Sequence, residues 1–78
     1  MQELLAARSI TRIGQSIRLL RTRRGLTQEE LAKEAGVSRT WLNQVENGSK
    51  SNAELASIFA VLNVLDASLL IRDDVDSQ

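Results

Sequence analysis

The sequence predicts an all-α domain of four to five short helices, with a C-terminal β-strand that pairs across a dimer. Three observations carry this expectation. Apolar residues recur at spacings of three and four between Ile13 and Leu65, the period of helices that bury one face. Thr27-Gln28-Glu29-Glu30 and Ser51-Asn52-Ala53-Glu54 both have the capping-box pattern that opens helices. Gly25, Gly36 and Gly48 each follow such an apolar segment, where helix-ending glycines sit, and the chain has no Pro.

The first helix is expected from Ile10 to about Arg24, capped by Ser9. Ile13, Ile17 and Leu20 share its inner face, and Arg12, Arg18 and Arg23 its outer side. Gly14 inside a helix costs roughly 1 kcal/mol against Ala, so it points to the close approach of another backbone. Residues 1–9 read as an arm or a frayed helical turn. The second helix starts after the Thr27 cap and ends near Ala35, with Leu31 and Ala32 facing inward. A turn, Ala35-Gly36-Val37, leads to Ser38, which caps a third helix from Arg39 to about Asn47. Leu42 and Val45 are its buried stripe, and Trp41 lies between its inner and outer faces.

Ser51 is expected to cap a fourth helix that runs to about Leu65. Its apolar face is Leu55, Ile58, Phe59, Leu62 and Leu65, with Phe59 in the core. Val61 and Val64 widen that face beyond what one small core needs. Ala67 to Arg72 is short and apolar and reads as a strand. A lone apolar strand has no partner in its own chain and is unstable in water. Pairing with a second copy would satisfy it, so Val61, Val64, Leu65, Leu69, Leu70 and Ile71 are the expected dimerisation residues. The chain thus divides into an arm (1–9), a helical domain (10–65) and a dimerisation strand with an acidic tail (66–78).

Composition narrows the functions. The chain has 78 residues, a length that gives at most one domain and a marginal core. It contains no His and no Cys. The usual general base, the thiol nucleophile, a disulfide and the common structural zinc site are therefore absent. Asp73, Asp74 and Asp76 lack the shaped loop a calcium ion needs and read as a solvated end. No catalytic residue, metal or cofactor is expected. Nor is a membrane span, since no apolar run approaches the ~20 residues required, and a soluble cytoplasmic, nucleoid-associated protein is the default.

Net charge is zero but unevenly placed. Residues 1–50 hold nine basic and five acidic side chains, and residues 51–78 hold one and five. A basic half can face a polyanion while an acidic half points away.

Two short helices joined by a Gly-containing turn form the helix-turn-helix pattern, whose second helix enters the DNA major groove. Its exposed positions would be Ser38, Arg39, Thr40, Asn43 and Gln44, side-chain types that read base edges. The start of the second helix, at Thr27 and Gln28, is a natural phosphate site. Asn47 and Lys50 flank the far side of the groove-entering helix and would grip the backbone there. Arg12 or Arg24 would also sit near phosphate.

The runs Gly25-Leu26-Thr27-Gln28-Glu29-Glu30-Leu31-Ala32, Gly36-Val37-Ser38 and Val45-Glu46-Asn47-Gly48 resemble the lambda-repressor-like family, also called Cro/C1 or XRE-type. The resemblance covers residues 13–65. It implies phosphate contact by Gln28, base contacts by Arg39, Thr40, Asn43 and Gln44, and backbone contact by Asn47. It also implies a partly buried ion pair between Arg21 and Glu46. Phage repressors of the family usually add a fifth helix. Here the stretch from Ile58 through Asp73 is instead similar to HipB-type antitoxins, whose tail strands pair across the dimer. That similarity implies a homodimeric, autoregulating repressor on a palindromic operator, with a HipA-like kinase toxin as partner. The alternatives are a stand-alone XRE-type regulator and a module that acts mainly through protein contacts.

Overall fold

Ser9 ends an extended lead-in and turns the chain into α1 (Ile10–Arg23), its hydroxyl accepting the Arg12 amide at 3.1 Å. A computed structural model describes residues 4–76. Residues 1–3 of the arm and 77–78 of the tail lie outside the described residues. After α1 come α2 (Gln28–Ala35), α3 (Arg39–Asn47) and α4 (Leu55–Val64). The Thr27 capping box is complete: Thr27 Oγ1 accepts the Glu30 amide at 3.0 Å, and Glu30 Oε1 accepts the Thr27 amide at 2.9 Å. Ser38 caps α3 by accepting the Trp41 amide at 3.0 Å. Gly36 and Gly48 close α2 and α3 at φ +74° and +80°, a left-handed conformation that costs side-chain-bearing residues dearly.

The core is built from Ile17 of α1, Leu31 and Ala32 of α2, Leu42 and Val45 of α3, and Ile58, Val61 and Leu62 of α4, with Leu65 just beyond. Trp41 packs half-buried on its edge. α1 packs chiefly on α3, and α2 packs on both α3 and α4.

Gly14 sets the α1–α3 distance. A methyl group built there would lie 1.8 Å from the Val45 carbonyl oxygen. The two backbones meet where no side chain fits, as the glycine inside an otherwise good helix implied.

Several expectations are corrected. Ser51 opens no helix: α4 starts at Leu55, and its cap, Glu54, makes no side-chain cap bond. Residues 51–54 are a connector that lays Ala53 onto the core, and this packing outranks a local capping preference. Phe59 is 42% exposed, not core. Val61 and Leu65 are fully buried in this chain's own core and have no surface left for a dimer. Ala67 to Arg72 form no strand, and no strand occurs among the described residues. A strand needs a second backbone to bond with, and one chain supplies none here.

Asp66 instead turns the chain at φ +54°, and the Ala67 amide closes back on the Leu62 carbonyl at 2.9 Å. The tail then meets the arm. Arg8 bonds Asp74 at 2.9 Å, and Arg72 bonds the same carboxylate. The Arg72 hydrogen bond first, then that of Arg8, holds the Asp74 carboxyl below its ordinary range.

Gly14→Ala forces apart two backbones that cannot shift independently, so it should cost about 3 kcal/mol or more. In a domain of this size a loss of that order lowers Tm by ~12 °C or more. A thermal melt followed by circular dichroism checks this; an unchanged Tm would mean that the helices separate freely.

Candidate nucleic-acid interface

The surface in question begins with a buried ion pair. Arg21, one face of α1 and about two turns beyond Gly14, reaches α3. Its Nε and Nη2 donate to Glu46 Oε2 and Oε1 at 2.8 and 2.9 Å. Its Nη1 donates to the Leu26 carbonyl at 2.8 Å, in the link between α1 and α2. Side-chain exposure is 12% for Arg21 and 2% for Glu46. The geometry is a bidentate fork, the arrangement in which guanidinium and carboxylate bind most strongly. The expected pair is therefore present, and it also carries the link that no spacing announced.

Glu46 Oε1 accepts a further bond from Gln28 Nε2 at 3.1 Å, and Gln28 Nε2 lies 3.3 Å from Asn43 Oδ1. Gln28 stands at the first position of α2 and Asn43 on the outer side of α3. Gln28, Arg39, Thr40 and Asn43 line one shallow cleft between the two helices. The structure thus gathers four of the sequence-predicted residues. Arg39, Thr40 and Asn43 are exposed, and Gln28 and Gln44 are half-buried.

Ser38 and Thr27 are exposed, but each hydroxyl oxygen already serves its helix cap. Asn47 and Lys50 lie at the other end of α3. Asn47 Oδ1 accepts the Ser49 amide at 2.9 Å, so it shapes the turn. Gly48 lies against Thr11 near the start of α1, which puts that turn beside the N-terminus of α1.

Of the expected dimerisation residues, Leu69, Leu70 and Ile71 are exposed, Ile71 at 97%. Val64 is half-buried against the core. Leu55 and Phe59, four residues apart on one face of α4, are exposed and were not foreseen as surface. A helix whose residues are apolar nearly all round gives no internal clue to which side faces water.

Among the described residues no group of acidic side chains is placed to hold a metal ion, and no helix is long and apolar enough to cross a membrane.

Four helices with a capped second and third, a polar outer face on α3 and an ion pair beneath it define a helix-turn-helix protein. The helix-turn-helix family model matches residues 17–71, and the chain belongs to that family, the lambda-repressor-like, XRE-type class its motifs resemble. It is 32% identical over 65 residues to antitoxin HipB of Escherichia coli strain K12, a match that covers 83% of this chain and 73% of that protein. It is 35% identical over 57 residues to the transcriptional regulator SinR of Bacillus subtilis, covering 73% of this chain and 51% of SinR. Among solved structures, a HipB–O4 20mer complex superposes with a TM-score of 0.77 at 29% identity, over 96% of this chain and all of that one. SinR in complex with DNA superposes with a TM-score of 0.69 at 36% identity, over 72% of this chain and 89% of that one.

Replacing Glu46 by Ala leaves the Arg21 guanidinium without its carboxylate and should cost ~3–5 kcal/mol. Pairing Arg21→Met with Glu46→Leu removes both charges and should recover most of that loss, since apolar side chains of similar size can replace a buried pair. Urea unfolding of Arg21→Met, Glu46→Leu and the double variant checks this. Additive losses would show that the two side chains do not act as a pair.

Proposed function

We propose that this chain is a sequence-specific DNA-binding repressor that acts as a homodimer on a two-part palindromic operator. The observation that carries the proposal is the outer face of α3. Arg39, Thr40 and Asn43 stand exposed beside the N-terminus of α2, on a helix whose inner side is pinned to α1. Arg39 donates in a rigid fork that suits guanine N7 and O6, and Thr40 offers a hydroxyl and a methyl group. Gln44 and Ser38 flank them. First-turn amides of α2, next to Thr27 and Gln28, favour a phosphate on one side of the groove. Asn47 and Lys50 serve the backbone on the other. The likeness to HipB, solved in an O4 20mer complex, and to SinR, solved in complex with DNA, supports this reading.

Dimerisation is assigned to the exposed apolar residues Leu69, Leu70 and Ile71, with Leu55 and Phe59 on α4. Side chains of this kind left in water favour association, and a chain this small gains stability from it. A second copy also places a second α3 at a fixed distance, and simultaneous engagement of two half-sites raises affinity without new contacts.

Likeness to antitoxin HipB over most of both chains favours a finer version: an autoregulating antitoxin whose operon encodes a HipA-like kinase toxin. A kinase-like reading frame beside this one, whose product co-purifies with the chain, is expected. A stand-alone regulator is the outcome if no such neighbour exists.

Selection from random duplexes should return a palindrome with half-sites about 10 bp or a multiple apart. Arg39→Ala should lose ~1–3 kcal/mol of binding and relax one position per half-site. Leu70→Ser with Ile71→Ser, at exposed positions, should keep the half-site but weaken the palindrome and shift sedimentation to monomer. No recovered motif at moderate salt, or an Arg39→Ala variant with unchanged affinity, removes the groove assignment.

A further inference from the structure

Asn47 ends α3 and is followed by Gly48, the one Asn-Gly step in the chain. An asparagine Cγ can be attacked by the backbone nitrogen of the next residue, which closes a five-membered ring. A following side chain crowds that approach, and glycine has no Cβ to do so. Asn43, Asn52 and Asn63 are followed by Gln44, Ala53 and Val64, so Asn47 is the unobstructed one. The structure leaves Asn47 exposed. The Ser49 amide donates to its Oδ1 at 2.9 Å, where negative charge develops as Cγ is attacked, and a donor placed there favours the reaction. The Gly48 N–H is tied to the Gln44 carbonyl and, at 3.4 Å, to that of Val45. Attack therefore waits on opening of the last helical turn, the part of a helix that opens at least cost.

Resting on the DNA-binding reading above, we propose that Asn47 is a site of spontaneous deamidation that weakens the grip of the chain on the DNA backbone, and that bound operator protects it. The Gly48 nitrogen gives up its proton and bonds to Asn47 Cγ. The Cγ–Nδ2 bond breaks, and Nδ2 leaves as ammonia with that proton, giving a succinimide. Water then opens the ring at either carbonyl, to aspartate or isoaspartate. The balance is one water in and one ammonia out, with no redox change. Nδ2 is the only donor of the Asn47 side chain, and a phosphate oxygen needs a donor. The reaction removes that nitrogen and leaves a carboxylate that repels phosphate. The new charge also stands at the C-terminus of α3, where the helix dipole disfavours an anion. Asn47 held on a phosphate keeps the last turn closed, so the free chain ages faster than the bound one.

The test is to age the full chain in mildly alkaline buffer and follow each asparagine by peptide mass mapping, which reads the exchange of NH2 for OH. Asn47 should convert about tenfold faster or more than Asn43, Asn52 or Asn63. Gly48→Ala places a Cβ 3.4 Å from the Thr11 methyl group, an ordinary contact, and should slow conversion about tenfold. Circular dichroism melts show whether that variant is folded. Binding is read on the duplex recovered by selection from random sequences. Aged wild type should lose affinity in step with the converted fraction, and aged Gly48→Ala should bind as it did when fresh. Fresh Asn47→Asp, which carries the product charge from the start, should bind about tenfold more weakly than wild type. Saturating operator should slow conversion of Asn47 about threefold or more relative to a duplex of unrelated sequence. An Asn47 that converts no faster than the other three overturns the proposal. So does an Asn47→Asp variant of unchanged affinity, or conversion that operator does not slow, with DNA binding upheld in both cases. Fresh wild type that selects no duplex overturns DNA binding itself, and this proposal with it.

Discussion

The seam between α1 and α3 is the constraint on which the remaining architecture rests. At one end Gly14 lets the α1 backbone come so close to the Val45 carbonyl that no Cβ fits between them. At the other, about two turns along, Arg21 grips Glu46, the next residue of α3, with a fork of 2.8 and 2.9 Å bonds. The first contact sets the distance between the helices. The second sets their rotation and register, because a planar guanidinium bonds a carboxylate well in few orientations. Arg21 also holds the Leu26 carbonyl, so the link into α2 hangs from the same side chain. With α2 packed on α3 and α4, the outer face of α3 is presented by three elements that cannot move separately. A buried charge pair is weak evidence for stability. Its value here is geometric: it joins all three helices that shape the candidate interface.

How much of this was legible in the sequence depended on how local each signal is. Ser9, Thr27 and Ser38 cap their helices within three residues of themselves, and all three behave as the sequence implies. Gly36 and Gly48 end helices through their own backbone conformation. Gly14 announced a close approach because a glycine is costly inside a helix, though its partner, Val45, could not be named from spacing. Ser51 had an equally good local pattern and failed: residues 51–54 run as a connector with Ala53 half-buried against the core, and α4 starts only at Leu55. On α4 the period was lost in an almost wholly apolar run. Ile58, Val61, Leu62 and Leu65 face the core, and Leu55 and Phe59 face water, a division set by α2 rather than by α4 itself. The segment after Ala67 shows a related limit. Its composition suits a strand, but strand formation is a property of two backbones.

The candidate site divides in the same way. Arg39, Thr40 and Asn43 were legible as exposed residues because the helical period places Leu42 and Val45 on the opposite side. The Arg21–Glu46 pair was implied by family resemblance, 25 residues apart, and not by any local pattern. The link from Glu46 through Gln28 to Asn43 had no sequence signal. Its members are polar residues of types common at any surface, and only the packing of α2 on α3 makes them neighbours.

The basic excess of the first fifty residues suggests a strong field toward a polyanion. In the folded chain, part of that excess is paired with carboxylates, at Arg21 beneath the surface and at Arg8 upon it. Arg21 is neutralised by Glu46, and Arg8 and Arg72 share Asp74. The proposed contact surface has Arg39 and Lys50 as its cations, with Arg12 or Arg24 expected near phosphate at its edge, supplemented by amides at the start of α2. Two or three cations per protomer neutralise few phosphates, and non-specific affinity rises with the number neutralised. On the proposed function, a single copy is expected to bind arbitrary DNA weakly. The polar side chains of α3, repeated by a second copy at a fixed spacing, would then supply most of the discrimination. A near-neutral chain with a rigid polar reading face thus fits a regulator that relies on short-range fit and bivalency more than on long-range attraction.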